Sequence, residues 1–228
     1  MFKGCINLCE VHPSILVHKR LTFLDLENCE SLSSLPSKFA MQSLEILILS
    51  GCSKFKRVLE FITNMEHLRK LHLDCTAITK LSSSIENLTN LASLNLRDCK
   101  DLVHLPNSIC NFKSLKALSV AGCSKLENLP ENLWNINTLE VLDVSGVTIR
   151  EPPSSFVLSR NLKRLRFRGC DVLQPMSFLL HALSDLRTLV ILDLSDCNLL
   201  TIPCIFGYLS SLQHLNLSGN NFNAFQEV

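Results

Sequence analysis

The chain of 228 residues has no apolar run near the roughly 18–20 residues that cross a bilayer, and its first residues, "MFKGCINLCEVHPS", hold no apolar stretch of the kind found in secretory leaders. Neither a membrane span nor a leader is therefore expected. The sequence also lacks an excess of either charge. A net charge of +1 gives no electrostatic reason to expect nucleic acid or an anionic membrane as the partner. The phosphate-cradling patterns G-x-x-x-x-G-K-[ST] and G-x-G-x-x-G are absent, and so are H-E-x-x-H and G-x-S-x-G. The seven histidines never stand four residues apart. No catalytic residue, metal ligand or cofactor-binding residue is expected in this chain. C-x-x-C is missing as well, which disfavours zinc ribbons and fingers. The eleven cysteines are odd in number and point to free thiols in a reducing compartment.

What the sequence does have is a repeat. The pattern L-x-x-L-x-L, with Val or Phe sometimes in the last place, opens at Leu21, Leu44, Leu68, Leu91, Leu115, Leu139, Leu162, Leu189 and Leu212. The steps between these leucines are 23, 24, 23, 24, 24, 23, 27 and 23 residues. The fuller unit continues C-x-x-L-x-x-L-P and then an Ile, Phe or Leu, as in Leu91, Leu94, Leu96, Cys99, Leu102, Leu105, Pro106 and Ile109. Period and pattern together resemble the leucine-rich repeat. The fold class implied is α/β: a horseshoe solenoid with short parallel strands on the concave face and a convex arc of 3-10 or irregular structure. Alternation in x-L-x-L-x sends leucines to one face of each strand. One unit cannot bury that face alone, so units stack. Proline ends the ladder and favours a 3-10 or extended outer arc.

The nine units, with a partial unit over residues 1–20, are expected to form one domain over 1–228, with both ends falling inside a repeat. The third and sixth units are one residue short and carry Thr76 and Val147 where others carry cysteine. The seventh is longer, and its Leu179, Leu180, Leu183 and Leu186 have helical spacing. A short convex helix is expected near residues 176–187, either as a tolerated insertion or as a bulge that meets a partner.

Cys5, Cys29, Cys52, Cys99, Cys123, Cys170 and Cys197 share one position of the repeat, and Asn220 takes it in the ninth unit. That slot follows the strand, where a small polar side chain can bond backbone groups left unpaired by the turn. A structural role is expected, with thiols made inert by burial. Adjacent members should stand about one strand spacing apart, ~4.8 Å. Cys75 lies off the column, near the concave rim, and is the candidate for a reactive thiol. Asn87 and Asn216 head N-x-[ST] triplets, both read as unglycosylated.

The positions flanking the strand leucines should line the concave face. The candidate protein-binding residues there are Lys70, His72, Asp74, Arg97, Asp143, Arg164, Arg166, Arg168 and Asp193. Chemically mixed columns suit recognition of a protein better than of a repetitive polymer. Arg166 should stand between Asp143 and Asp193. The arginines of "NLKRLRFRGC" form either a self-neutralising cross-strand ladder, worth little, or a hot spot for an acidic partner surface.

The stretches "LILSGCSKFKRVLE", "CTAITKLSSSIENLTNLASLNLRDCKDLVHLPNSI", "VAGCSKLENLPENL" and "LDLSDCNLLTIP…GYLSSLQHLNLSGNNF" resemble the repeat region of plant intracellular immune receptors, in particular those with a Toll/interleukin-1-receptor domain. The resemblance runs over about residues 1–226. It implies a surface that senses a pathogen effector or a guarded host protein, and that restrains a nucleotide-binding domain outside these residues. ADP or ATP belongs to that domain, and this chain has no cofactor of its own. The resemblance implies the cytoplasm, and also the nucleus, as the location, with no nucleic-acid or membrane partner. Alternatives are an extracellular receptor ectodomain, whose repeats usually carry G-x-I-P, and a general intracellular repeat scaffold.

Overall fold

The computed structural model describes residues 1–36, 39–57, 59–147, 160–170, 183, 186–202 and 204–223, excluding the side chains of 134, 135 and 205. Nine three-residue strands appear in chain order: β1 (Phe23–Asp25), β2 (Ile46–Ile48), β3 (Lys70–His72), β4 (Ser93–Asn95), β5 (Ala117–Ser119), β6 (Val141–Asp143), β7 (Arg164–Arg166), β8 (Ile191–Asp193) and β9 (His214–Asn216). They form one parallel sheet in sequence order, β1 to β9. The register pairs like with like: Leu24, Leu47, Leu71 and Leu94 stand beside one another, and so on to Leu215. The period of the repeat thus becomes the register of the sheet.

The reason is burial. All three apolar positions of L-x-x-L-x-L point inward, so Leu44, Leu47 and Leu49 are fully buried, as are Leu68 and Leu71. Burying each such side chain contributes about 1.5–3 kcal/mol, and a slip of one residue would turn the middle leucine outward. At β9 no further strand stands alongside among the described residues, and Leu215 is 40% exposed.

Coil-to-coil bonding continues past each strand. The Leu26 amide donates to the Ile48 carbonyl (2.9 Å) and the Asn28 amide to the Ser50 carbonyl (2.8 Å). The chain then turns sharply on a residue with positive φ. Asn28, Gly51, Cys75, Asp98, Gly122, Gly146, Gly169, Asp196 and Gly219 all adopt it, φ lying between 55° and 74°. Each directly precedes the repeat's cysteine slot. Glycine, asparagine and aspartate visit this region readily, so their recurrence there is a backbone requirement.

The convex side is built from 3-10 helices, at Pro13–Val17, Ser83–Asn87, Asn107–Asn111, Glu131–Asn135 and Cys204–Tyr208. Pro106 and Pro130 sit extended just before two of them. Ile85, Ile109 and Leu133 reach back from the arc into the core. Phe39 and Phe61 meet edge-to-face at 6.3 Å. The helix expected near 176–187 falls mainly outside the described residues; Leu183 and Leu186 are buried in the core. No helix among the described residues is long and apolar enough to cross a membrane.

The positive-φ turns allow a direct test. A Cβ added at Gly122 would collide with the Asp98 side chain, which lies across it from the preceding coil, whereas the nearest atom to one at Gly146 is 3.8 Å away. Both Gly→Ala changes carry the left-handed cost of about 1–2 kcal/mol. Gly122→Ala is expected to lose measurably more than Gly146→Ala in urea unfolding, and equal losses would contradict the stacked geometry.

Candidate protein-interaction face

The turn that closes each strand is held by the column of cysteines. The Sγ of Cys52 donates to the Leu26 carbonyl of the preceding coil (3.1 Å), Cys99 to Leu73 (3.1 Å), Cys123 to Leu96 (3.1 Å), Cys170 to Val144 (3.2 Å) and Cys197 to Phe167 (3.2 Å). Cys29 bonds the Phe2 carbonyl in the same way (3.1 Å). The Leu26, Leu96 and Val144 carbonyls also take an amide from their own coil, as Leu96 takes Cys99 (3.2 Å). Asn220 does the job with one amide group, donating to Leu194 and Leu217 at 2.8 Å each. Thr76 turns instead to its own Leu73 carbonyl (2.7 Å), and Val147 has no polar atom to offer. Cys5 departs from the expected column role: it is exposed, because no coil of this chain stacks in front of it.

Burial pushes these thiols up, to about 11 at Cys52 and Cys99 and to about 12 at Cys123 and Cys170. Cys75 is exposed and occupies the positive-φ position. Burial, and then the carboxylates of Asp74 and Asp98, push its thiol up too. At Cys75, then, access is present while the surroundings disfavour thiolate formation.

The residues flanking the leucines lie on the open side of the sheet, in the expected register. Asp143, Arg166 and Asp193 are side by side. Arg166 approaches Asp143 at 3.8 Å, but Asp193 is occupied elsewhere. Its Oδ1 accepts from the Ser195 amide (3.0 Å) and hydroxyl (2.6 Å). Burial opposes its ionisation, yet the bonds from Ser195 and Asn216 and the charge of Arg168 bring its carboxyl below the usual range. Arg168 reaches across to Asp196 (3.2 Å) and Arg97 to its neighbour Asp98 (3.3 Å). Asp74 accepts from Ser50 (2.6 Å) and Asn95 (2.8 Å). His72 is half-buried, which together with Lys70 lowers its pKa against the pull of Asp74. Lys70 and Arg164 are exposed and form no ion pair among the described residues.

Sequence reasoning missed a second duty of the middle column. Asp25, Asn95, Asp143, Asp193 and Asn216 each accept the amide two residues ahead, at 3.0–3.1 Å. This Asx turn steers the chain from strand into the positive-φ bend. The available signal was the recurrence of Asp or Asn two places before a small or polar residue in unit after unit. Both glycosylation triplets are likewise engaged: Asn87 Nδ2 donates to the Phe61 carbonyl (2.6 Å), and Asn216 Oδ1 serves its own turn.

Two repeat models match the chain. One, described as a leucine-rich repeat region, covers residues 26–128, and the other, a leucine-rich repeat, covers 188–209 and 211–227. The chain belongs to the leucine-rich repeat family. Its curated relatives include plant disease resistance proteins. The TMV resistance protein N of Nicotiana glutinosa is 40% identical over 222 residues, 96% of this chain and 19% of that protein. The disease resistance protein RPP2A of Arabidopsis thaliana is 38% identical over 96 residues, 42% of this chain and 7% of that protein. This leucine-rich repeat chain thus spans a fifth or less of the relatives it matches. Among solved structures, that of the Toll–Spatzle complex from Drosophila superimposes with a TM-score of 0.70, at 21% identity, over 94% of this chain and 30% of that one. A TDR receptor does so at 0.57, with 19% identity over 93% and 41%. At those identities the likeness is one of fold.

Three outcomes are expected of this repeat chain. A thiol reagent applied to the native protein should label Cys75 and Cys204 but spare Cys52, Cys99, Cys123 and Cys170 until unfolding, as read by mass spectrometry. Folded thiols held near 11–12 keep their protons where unfolded ones, near 9, lose them. Their contribution is therefore complete below about pH 9 and lost as pH rises toward 11–12, so the urea midpoint should fall between pH 8.5 and 10.5. For the Asx column, Asp143→Asn keeps the acceptor and should stay near native stability. Asp143→Ala should lose about 1–2 kcal/mol in the same assay.

Proposed function

We propose that this chain is the protein-recognition surface of a plant defence receptor, with a pathogen effector or a guarded host protein as ligand. In the resting state the same face contacts a nucleotide-binding domain outside these residues and restrains it. The observation that carries the reading is the 40% identity to the TMV resistance protein N along 96% of the chain. The sheet supports it physically. Its open face presents Lys70, His72 and Arg164 between aliphatic and small side chains, a chemically mixed surface suited to a protein. Binding rather than catalysis is the role, and ADP or ATP belongs to the nucleotide-binding domain. The cytoplasm and nucleus are the compartments that the reading assigns, with neither nucleic acid nor membrane as partner.

The test is a charge-reversal scan of Lys70, His72, Arg97, Arg164, Arg166 and Arg168 in the gene product expressed in leaf tissue. Recognition and restraint on one face should make some variants unresponsive and others active without elicitor, as scored by defence cell death. A scan in which every variant behaves as native would contradict the reading.

A further inference from the structure

Formal charge over the whole chain nearly cancels, at +1, but the fold does not spread it evenly. Three positions of the repeat stack along the edge where the strands begin: two residues before the opening leucine, one after it, and the first strand residue. Stacking is direct there. The Glu140 amide donates to the Lys116 carbonyl, Lys163 to Glu140 and Val190 to Lys163, at 2.8 Å each, and the Thr188 hydroxyl donates to the Arg160 carbonyl at 2.6 Å. Over the fifth to eighth units this edge carries Lys113, Lys116, Arg160, Lys163, Arg164 and Arg187, all exposed. Among the described residues, the one carboxylate ion-paired with them is Glu140, shared between Lys116 (3.4 Å) and Lys163 (2.8 Å). Lys113, Arg160, Arg164 and Arg187 have no ion pair among the described residues.

This edge also divides the arginines of the seventh unit. Arg166 and Arg168 already lie against Asp143 and Asp196. Arg164 points to the basic edge and is flanked in register by Val141 and Ile191. We propose that the strand-entry edge of units five to eight is the docking site for an acidic, aliphatic segment of the partner protein. Its carboxylates meet the unpaired cations and its apolar side chains rest on Val141, Val190 and Ile191. This deepens the recognition reading above and rests on it. Three strand spacings separate the fifth and eighth units, roughly 14 Å at ~4.8 Å each, which matches about four to five extended residues. The same positions hold no aromatic side chain on which bases could stack, which favours a peptide over a single-stranded nucleic acid.

The test uses the 228-residue chain and three fluorescein-labelled probes read by anisotropy: the peptide EVDLESDV, its counterpart KVKLKSKV, and an octathymidylate. The acidic peptide should bind best, more weakly as salt rises. The triple variant K113E/R164E/R187E should lose affinity roughly tenfold, while R166E/R168E should stay within about threefold of native. A neutral variant, K113Q/R164Q/R187Q, provides the same comparison if the reversed one does not fold. Three results would overturn the proposal: no preference for the acidic peptide over the basic one, equal losses in the two variant sets, or octathymidylate binding as tightly as the acidic peptide. Such a failure alongside a positive leaf-tissue scan removes the acidic partner and leaves the recognition role standing.

Discussion

Each coil of this protein depends on how the chain turns after three residues of strand without leaving polar backbone unpaired in the core. A buried carbonyl without a partner costs about 1–3 kcal/mol, and the turn recurs in every unit. Three side-chain positions address it together. An Asp or Asn at the strand's end catches the amide two residues on. A left-handed residue then bends the chain. A cysteine thiol, or Asn220, finally reaches back one coil to the carbonyl of the apolar residue just past the strand. Because this last bond crosses between coils, the turn of one unit completes the backbone accounting of the unit before it.

That arrangement separates structure from function along the sequence. Leucines, cysteines and most middle-column carboxylates serve the interior and the turns. The exposed cations left without an ion pair among the described residues of the sheet are a smaller set, chiefly Lys70 and Arg164. The three aspartates of the candidate surface are engaged, Asp74 by Ser50, Asp143 by Ser145 and Asp193 by Ser195.

Much of the sheet was legible because a period of 23 to 27 residues fixes the register once the leucines are phased. The place of the cysteine column after each strand could be read as well, since the cysteines share one phase of the repeat. Less legible was the division of labour among charged residues. Arg164, Arg166 and Arg168 are equivalent in sequence, and only the positions of Asp143 and Asp196 in adjacent coils separate the paired from the unpaired. The bend position of Cys75 was hidden for a related reason. Its place next to Thr76 puts it at the bend that other coils give to Gly, Asn or Asp, a constraint visible only when the short third unit is stacked on its neighbours.

The central claim is that a cysteine or asparagine in the slot after a strand stabilises the fold by bonding a carbonyl of the coil before it, a bond that the coils carrying Thr76 and Val147 do without. The most direct measurement compares unfolding free energies of Cys123→Asn and Cys123→Ala. Asn220 shows how an amide meets this need with two bonds of 2.8 Å, so Cys123→Asn should remain within about 0.5 kcal/mol of native, while Cys123→Ala strips the Leu96 carbonyl of its cross-coil donor, leaves it the Cys99 amide alone, and should lose about 0.5–1.5 kcal/mol. A Cys123→Ala protein as stable as the native one, or more stable than Cys123→Asn, would contradict the account.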